Sequence, residues 1–75
     1  MQIGDHLFRA RKSSGLSQEA VAEKLGVSRQ TISKWETNET LPDIEQSGRL
    51  AQLYHVSLDE LTAFDVDIKE IERVI

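Results

Sequence analysis

The stretch SQEAVAEKLGVSRQTISKWE, residues 17–36, decides the fold. Apolar residues at Val21, Leu25, Val27, Ile32 and Trp35 give each half one apolar face, with Gly26 between the halves. That pattern predicts two short helices joined by a tight turn. Ser17 and Ser28 each precede a helical pattern, where a hydroxyl can accept a hydrogen bond from an unpaired backbone N–H of the first turn. Gly26 lies just past the first helix, where a residue without a Cβ takes positive φ and reverses the chain. Ala22 is small where the two helices cross closest. Once Ile32 and Trp35 turn inward, the second helix is left with an outward set of Arg29, Gln30, Ser33 and Lys34, with Ser28 at its tip.

With GLSQEAVAEKLGVSRQTISKWE followed by LPDIE, RLAQLY and VSLDEL, the chain resembles the lambda-repressor-like helix-turn-helix family, also called the Cro/repressor or XRE family. The resemblance covers roughly residues 3–64. It implies an all-α fold, a five-helix DNA-binding domain over residues 1–64; residues 65–75, beyond the resemblance, read from their apolar spacing as a short helical C-terminal extension for dimerisation or linkage. The implied function is sequence-specific transcriptional regulation in the cytoplasm, as a homodimeric repressor on a pseudo-palindromic operator in double-stranded DNA. By the same resemblance Arg11 pairs with Glu36, tying the first helix to the end of the third, and Gln18, Thr31 and Asn38 contact backbone phosphate.

Seventy-five residues make one domain. A chain so short buries only about 60% of the surface its unfolded form exposes, so helix packing or dimerisation has to supplement a small core. It has no cysteine, hence no disulfide framework, thiol nucleophile or Cys-based zinc site. Apolar runs fall short of the roughly 20 residues that cross a bilayer, and MQIGDHLFRARK has no signal-type stretch, which points to a soluble intracellular protein without membrane partners. The net charge of −4 is unevenly spread: residues 1–37 carry +2 and residues 38–75 carry −6. Acid thus gathers away from the reading helix, an arrangement compatible with DNA binding through one face but with modest affinity per monomer.

The first helix is expected over residues 3–13, with Ile3, Leu7 and Ala10 as its buried stripe and Gly15 as its stop. Phe8 lies off that stripe, where the family has a polar residue. Arg9 and Lys12 fall on the solvent side, as a solvated face or as phosphate contacts. TNETLP, residues 37–42, reads as a loop in which Asn38 can take the left-handed conformation. Glu39 stands where the family often has a cation near DNA. The fourth helix is expected from near Asp43, after Pro42, with Ile44, Leu50, Ala51 and Tyr54 buried. Gly48 weakens its middle, through tolerance or because a partner subunit packs close there. His55 reads as a helix-ending residue, and SLDE at residues 57–60 as a capping box opening the fifth helix. Phe64, Ile68, Ile71 and Ile75 form a single helical stripe, with a short strand around Val66 and Ile68 as the alternative.

A helix in the major groove presents its N-terminal residues to base edges that differ for each base pair. Arg29 and Lys34 suit guanine O6 and N7, Gln30 suits adenine N6 and N7, and Ser33 lies beside them. Phosphate contacts fall to Gln18, at the positive end of the second helix, and to Ser28, Thr31 and Asn38. Useful specificity needs two copies on half-sites about 34 Å apart. The surface joining them is either the fifth helix around Leu58 and Leu61 or the tail stripe. Two other readings stay open: an antitoxin-type autoregulator engaging a protein partner through the acidic C-terminal half, and an interaction adaptor that keeps the fold without DNA. No cofactor is expected. His6 and His55 give no metal-ligand spacing, and neither paired carboxylates, a nucleophile with a base, nor a phosphate-cradling glycine loop suggests an enzyme.

Overall fold

A computed structural model of the chain describes residues 2–61. They form five helices: α1 (Ile3–Ser14), α2 (Gln18–Leu25), α3 (Arg29–Glu36), α4 (Ile44–Tyr54) and α5 (Leu58–Leu61), with no strand among the described residues. The tail stripe from Phe64 to Ile75, in either its helical or its strand reading, lies outside them.

Local chemistry marks most of the helix ends. The Ser17, Ser28 and Asp43 side chains accept hydrogen bonds from the N–H groups of Ala20, Thr31 and Gln46, at 3.0, 3.2 and 2.8 Å. At α5 the Ser57 hydroxyl accepts from Glu60 N–H at 3.1 Å. Gly15 closes α1, and Gly26, at φ +72°, reverses the chain between α2 and α3. Asn38 and His55 adopt the left-handed conformation without being glycine, at φ 66° and 56°, and His55 caps α4.

The core is built by α3 resting on both α1 and α2, with α4 and α5 closing the far side against α1. Leu7, Val21, Ile32, Leu50 and Leu61 are the most completely buried side chains. Each stabilises the fold by about 1.5–3 kcal/mol. Ala22, Leu25, Trp35, Ala51 and Tyr54 complete it, while Ile3, Ala10 and Val27 pack at its edge.

Three expectations need correction. Ile44, expected inside, is almost wholly exposed, and Ser47 occupies the buried position at the start of the α4 stripe. Ile44 is the first residue of the helix and projects past the core. Leu61, expected at a dimer surface, is 1% exposed and belongs to this chain's own core. The first helix runs one residue further than expected, to Ser14.

Candidate nucleic-acid interface

α3 is anchored from within by Ile32 and Trp35 and capped at its start by Ser28, whose hydroxyl also shares a 3.0 Å hydrogen bond with the Thr31 hydroxyl. With these fixed, Arg29, Gln30 and Lys34 are exposed and Ser33 half-buried on the helix's remaining surface. The side chains of Arg29, Gln30 and Lys34 show no hydrogen bond or ion pair among the described residues, so they do no evident structural work.

The far end of α3 is held by a polar cluster. Arg11 donates from Nε to Glu36 Oε2 at 2.7 Å and from Nη2 to Oε1 at 3.1 Å, both groups buried, while its Nη1 donates to the Leu16 carbonyl at 3.0 Å. A planar guanidinium can make all three bonds in its own plane. The guanidinium carbon also lies over the Phe8 ring, 5.6 Å from its centroid, with Lys12 Nζ 5.7 Å from the same centroid. The phenylalanine, where the resemblance led one to expect a polar residue, thus adds a cation–π contact beside the ion pair. Hydrogen bonding to Glu36 raises the Arg11 pKa above its ordinary value, with burial opposing it. The nearby Tyr54 hydroxyl is pushed up to about 12, first by burial and then by the Glu36 charge, with Arg11 pulling the other way.

Gln18 joins this cluster through Nε2, which donates to Glu36 Oε1 at 3.1 Å. A carboxylate only accepts, so the amide nitrogen faces Glu36 and keeps one N–H for another acceptor. The opening turn of α2 is thereby tied to the closing turn of α3. Asn38 is also engaged: its Oδ1 accepts from Gly4 N–H at 2.9 Å, leaving its amide nitrogen. A Cβ on Gly4 would lie 2.6 Å from both Asn38 Oδ1 and the Trp35 carbonyl oxygen, so only glycine lets α1 approach α3 this closely. Sequence reasoning missed Gly4 and the cation–π contact of Phe8. A glycine in a helix's first turn, with no turn to serve, was the available signal for the former.

Glu39, next to Asn38, is exposed and accepts a 3.0 Å hydrogen bond from the Thr37 hydroxyl. Among the described residues no cluster of His, Asp or Glu could hold a metal ion, and no helix is long and apolar enough to cross a membrane.

A helix-turn-helix family model matches residues 7–61, most of the chain and every site residue described above except Gly4. The chain belongs to the helix-turn-helix family. Within that family it is 38% identical over 61 residues to the HTH-type transcriptional activator BcrR of Enterococcus faecalis, covering 81% of this chain and 30% of that protein. It is 35% identical over 72 residues to the HTH-type transcriptional regulator ImmR of Bacillus subtilis, covering 96% of this chain and 57% of the relative. The chain thus spans between about a third and somewhat over half of the length of these relatives. Among solved structures, the P22 c2 repressor in complex with a synthetic operator superposes with a TM-score of 0.78 at 32% identity, covering 83% of this chain and 94% of that one.

Proposed function

We propose that this chain is the DNA-reading part of a transcription regulator, acting in the cytoplasm as a repressor that occupies a pseudo-palindromic operator as a homodimer. The observation that carries this reading is the display of Arg29, Gln30 and Lys34 on one exposed side of a helix whose other side is locked into the core. Such a helix can lie in a major groove without rearrangement. Arg29 and Lys34 contact guanine O6 or N7, Gln30 the adenine edge, and Ser33 a flanking position. Gln18, with its remaining N–H at the α2 N-terminus, Ser28, Thr31 and the Asn38 amide nitrogen hold phosphates. That a structure of similar fold, the P22 c2 repressor, is held on a synthetic operator supports the DNA reading.

Selection of bound sites from random duplexes, followed by anisotropy titrations at several salt concentrations, tests the reading. Arg29→Ala is expected to relax base preference at one position per half-site, at a cost of about 1–3 kcal/mol for the preferred base. Gln18→Ala is expected to weaken all sequences nearly alike while leaving the salt dependence as it was, because a neutral amide releases no counterion. Binding that ignores both substitutions, or no binding even in dilute salt, would remove the assignment and favour an interaction adaptor.

A further inference from the structure

We propose that the solvent-facing side of α4 is the surface through which two copies of this chain meet. Two features of that side, an exposed isoleucine and a mid-helix glycine, have no use among the described residues of one chain. Ile44 is 83% exposed and Leu41, three residues earlier, 70%. Gly48 lies one helical turn after Ile44 on the same side, and a Cβ placed on it would meet nothing within 4 Å. A mid-helix glycine weakens a helix relative to alanine, and no close approach among the described residues demands one here. Beside this knob and notch, Glu45 and Arg49 lie 3.3 Å apart at i, i+4, with side chains 74% and 53% exposed.

These features complement one another across a two-fold axis. When two copies of α4 cross antiparallel, Ile44 settles on Gly48 of the partner subunit, whose missing side chain gives it room. The same symmetry brings Glu45 toward Arg49 of the partner subunit. An isologous contact requires one patch that carries both halves of each pairing, and this patch does. With Leu61 consumed by the core, the fifth-helix surface has lost half of the apolar pair expected there. The inference rests on the operator reading only for its purpose, since a pseudo-palindrome needs two copies. One helix face falls well short of the ~800 Å² per partner of stable interfaces. The dimer is therefore weak in free solution and is reinforced when neighbouring half-sites raise the effective concentration.

Sedimentation equilibrium without DNA, from micromolar to millimolar chain, tests this. The weight-average mass is expected to rise toward two chains at the upper end. Ile44→Glu and Gly48→Leu are each expected to weaken dimerisation at least about tenfold. Glu45→Arg and Arg49→Glu weaken it singly, and their combination restores it. Gly48→Leu also controls for folding, because its side chain enters open space and its helix content and melting temperature should equal or exceed the parent's. A chain that stays monomeric at millimolar concentration overturns the proposal, as does a dimer indifferent to both Ile44→Glu and Gly48→Leu. Failure here leaves the reading face untouched: Ile44→Glu is expected to bind an isolated half-site duplex as the parent does, whereas an error in the reading face shows in Arg29→Ala.

Discussion

Arg11 and Glu36 are both charged and both buried, a combination that costs several kcal/mol per ion unless hydrogen bonds replace the lost water. Here they do. Two guanidinium N–H groups meet the two carboxylate oxygens, a third meets the Leu16 carbonyl, and Gln18 supplies a further donor to Glu36. Removing one partner strands the other, so Arg11→Ala and Glu36→Ala should each lower stability by about 3–5 kcal/mol, read from the midpoint of urea denaturation. Arg11→Lys should recover only part of it, since an ammonium cannot span both carboxylate oxygens and the carbonyl in one plane. Tyr54 gives the same cluster a pH signature. Its folded pKa of about 12 lies above the ordinary value of 10.0, so the native state keeps the phenol proton where the unfolded chain releases it. That contribution is complete below pH 10 and is lost as pH rises toward 12. Urea midpoints of the parent should therefore fall more steeply across this window than those of Tyr54→Phe.

At the level of helices, Gly26 and Gly48 pull in opposite directions. Gly26 at φ +72° cannot take a side chain without strain, so Gly26→Ala should destabilise by about 1–2 kcal/mol. Gly48 is helical with open space around it, so Gly48→Ala should stabilise the monomer by about 0.5–1 kcal/mol. Thermal melts at low concentration check both. The contrast also shows what the sequence made legible. Helix ends were readable because Ser17, Ser28, Asp43, Gly15 and Gly26 act on backbone groups within a few residues. The α4 face was misread because its true stripe, Ser47, Leu50, Ala51 and Tyr54 at i, i+3, i+4 and i+7, begins with a serine, so the apolar Ile44 drew the assignment instead. Gly4 and Phe8 were not legible in their roles, because each depends on a helix distant in sequence: Gly4 on the end of α3, Phe8 on the ion pair that α3 completes. The outward set on α3 was readable for the reason the core was, since fixing Ile32 and Trp35 inside fixes the other side outside.

For the molecule as a whole, a net charge of −4 sets the balance between attraction to and repulsion from phosphate. The excess acid belongs to residues 38–75, and at about 0.1 M salt charges more than about 10 Å from a phosphate are largely screened. Acid beyond that distance costs little once the protein has docked, but the operator reading does not place Glu39 beyond it. It is exposed, held by the Thr37 hydroxyl, and adjacent to Asn38, which the operator reading places at the DNA backbone. Replacing it with a cation removes a repulsion and adds one counterion-releasing contact. Glu39→Lys should therefore tighten binding to every duplex by a similar factor and steepen the slope of log affinity against log salt by about 0.9. The ranking of sequences should stay as it was, because no base edge is involved. Anisotropy titrations of one preferred and one scrambled duplex across a salt series would read both quantities. A tightening confined to the preferred duplex would move residue 39 from the phosphate backbone to a base, and an unchanged slope would move it away from the DNA.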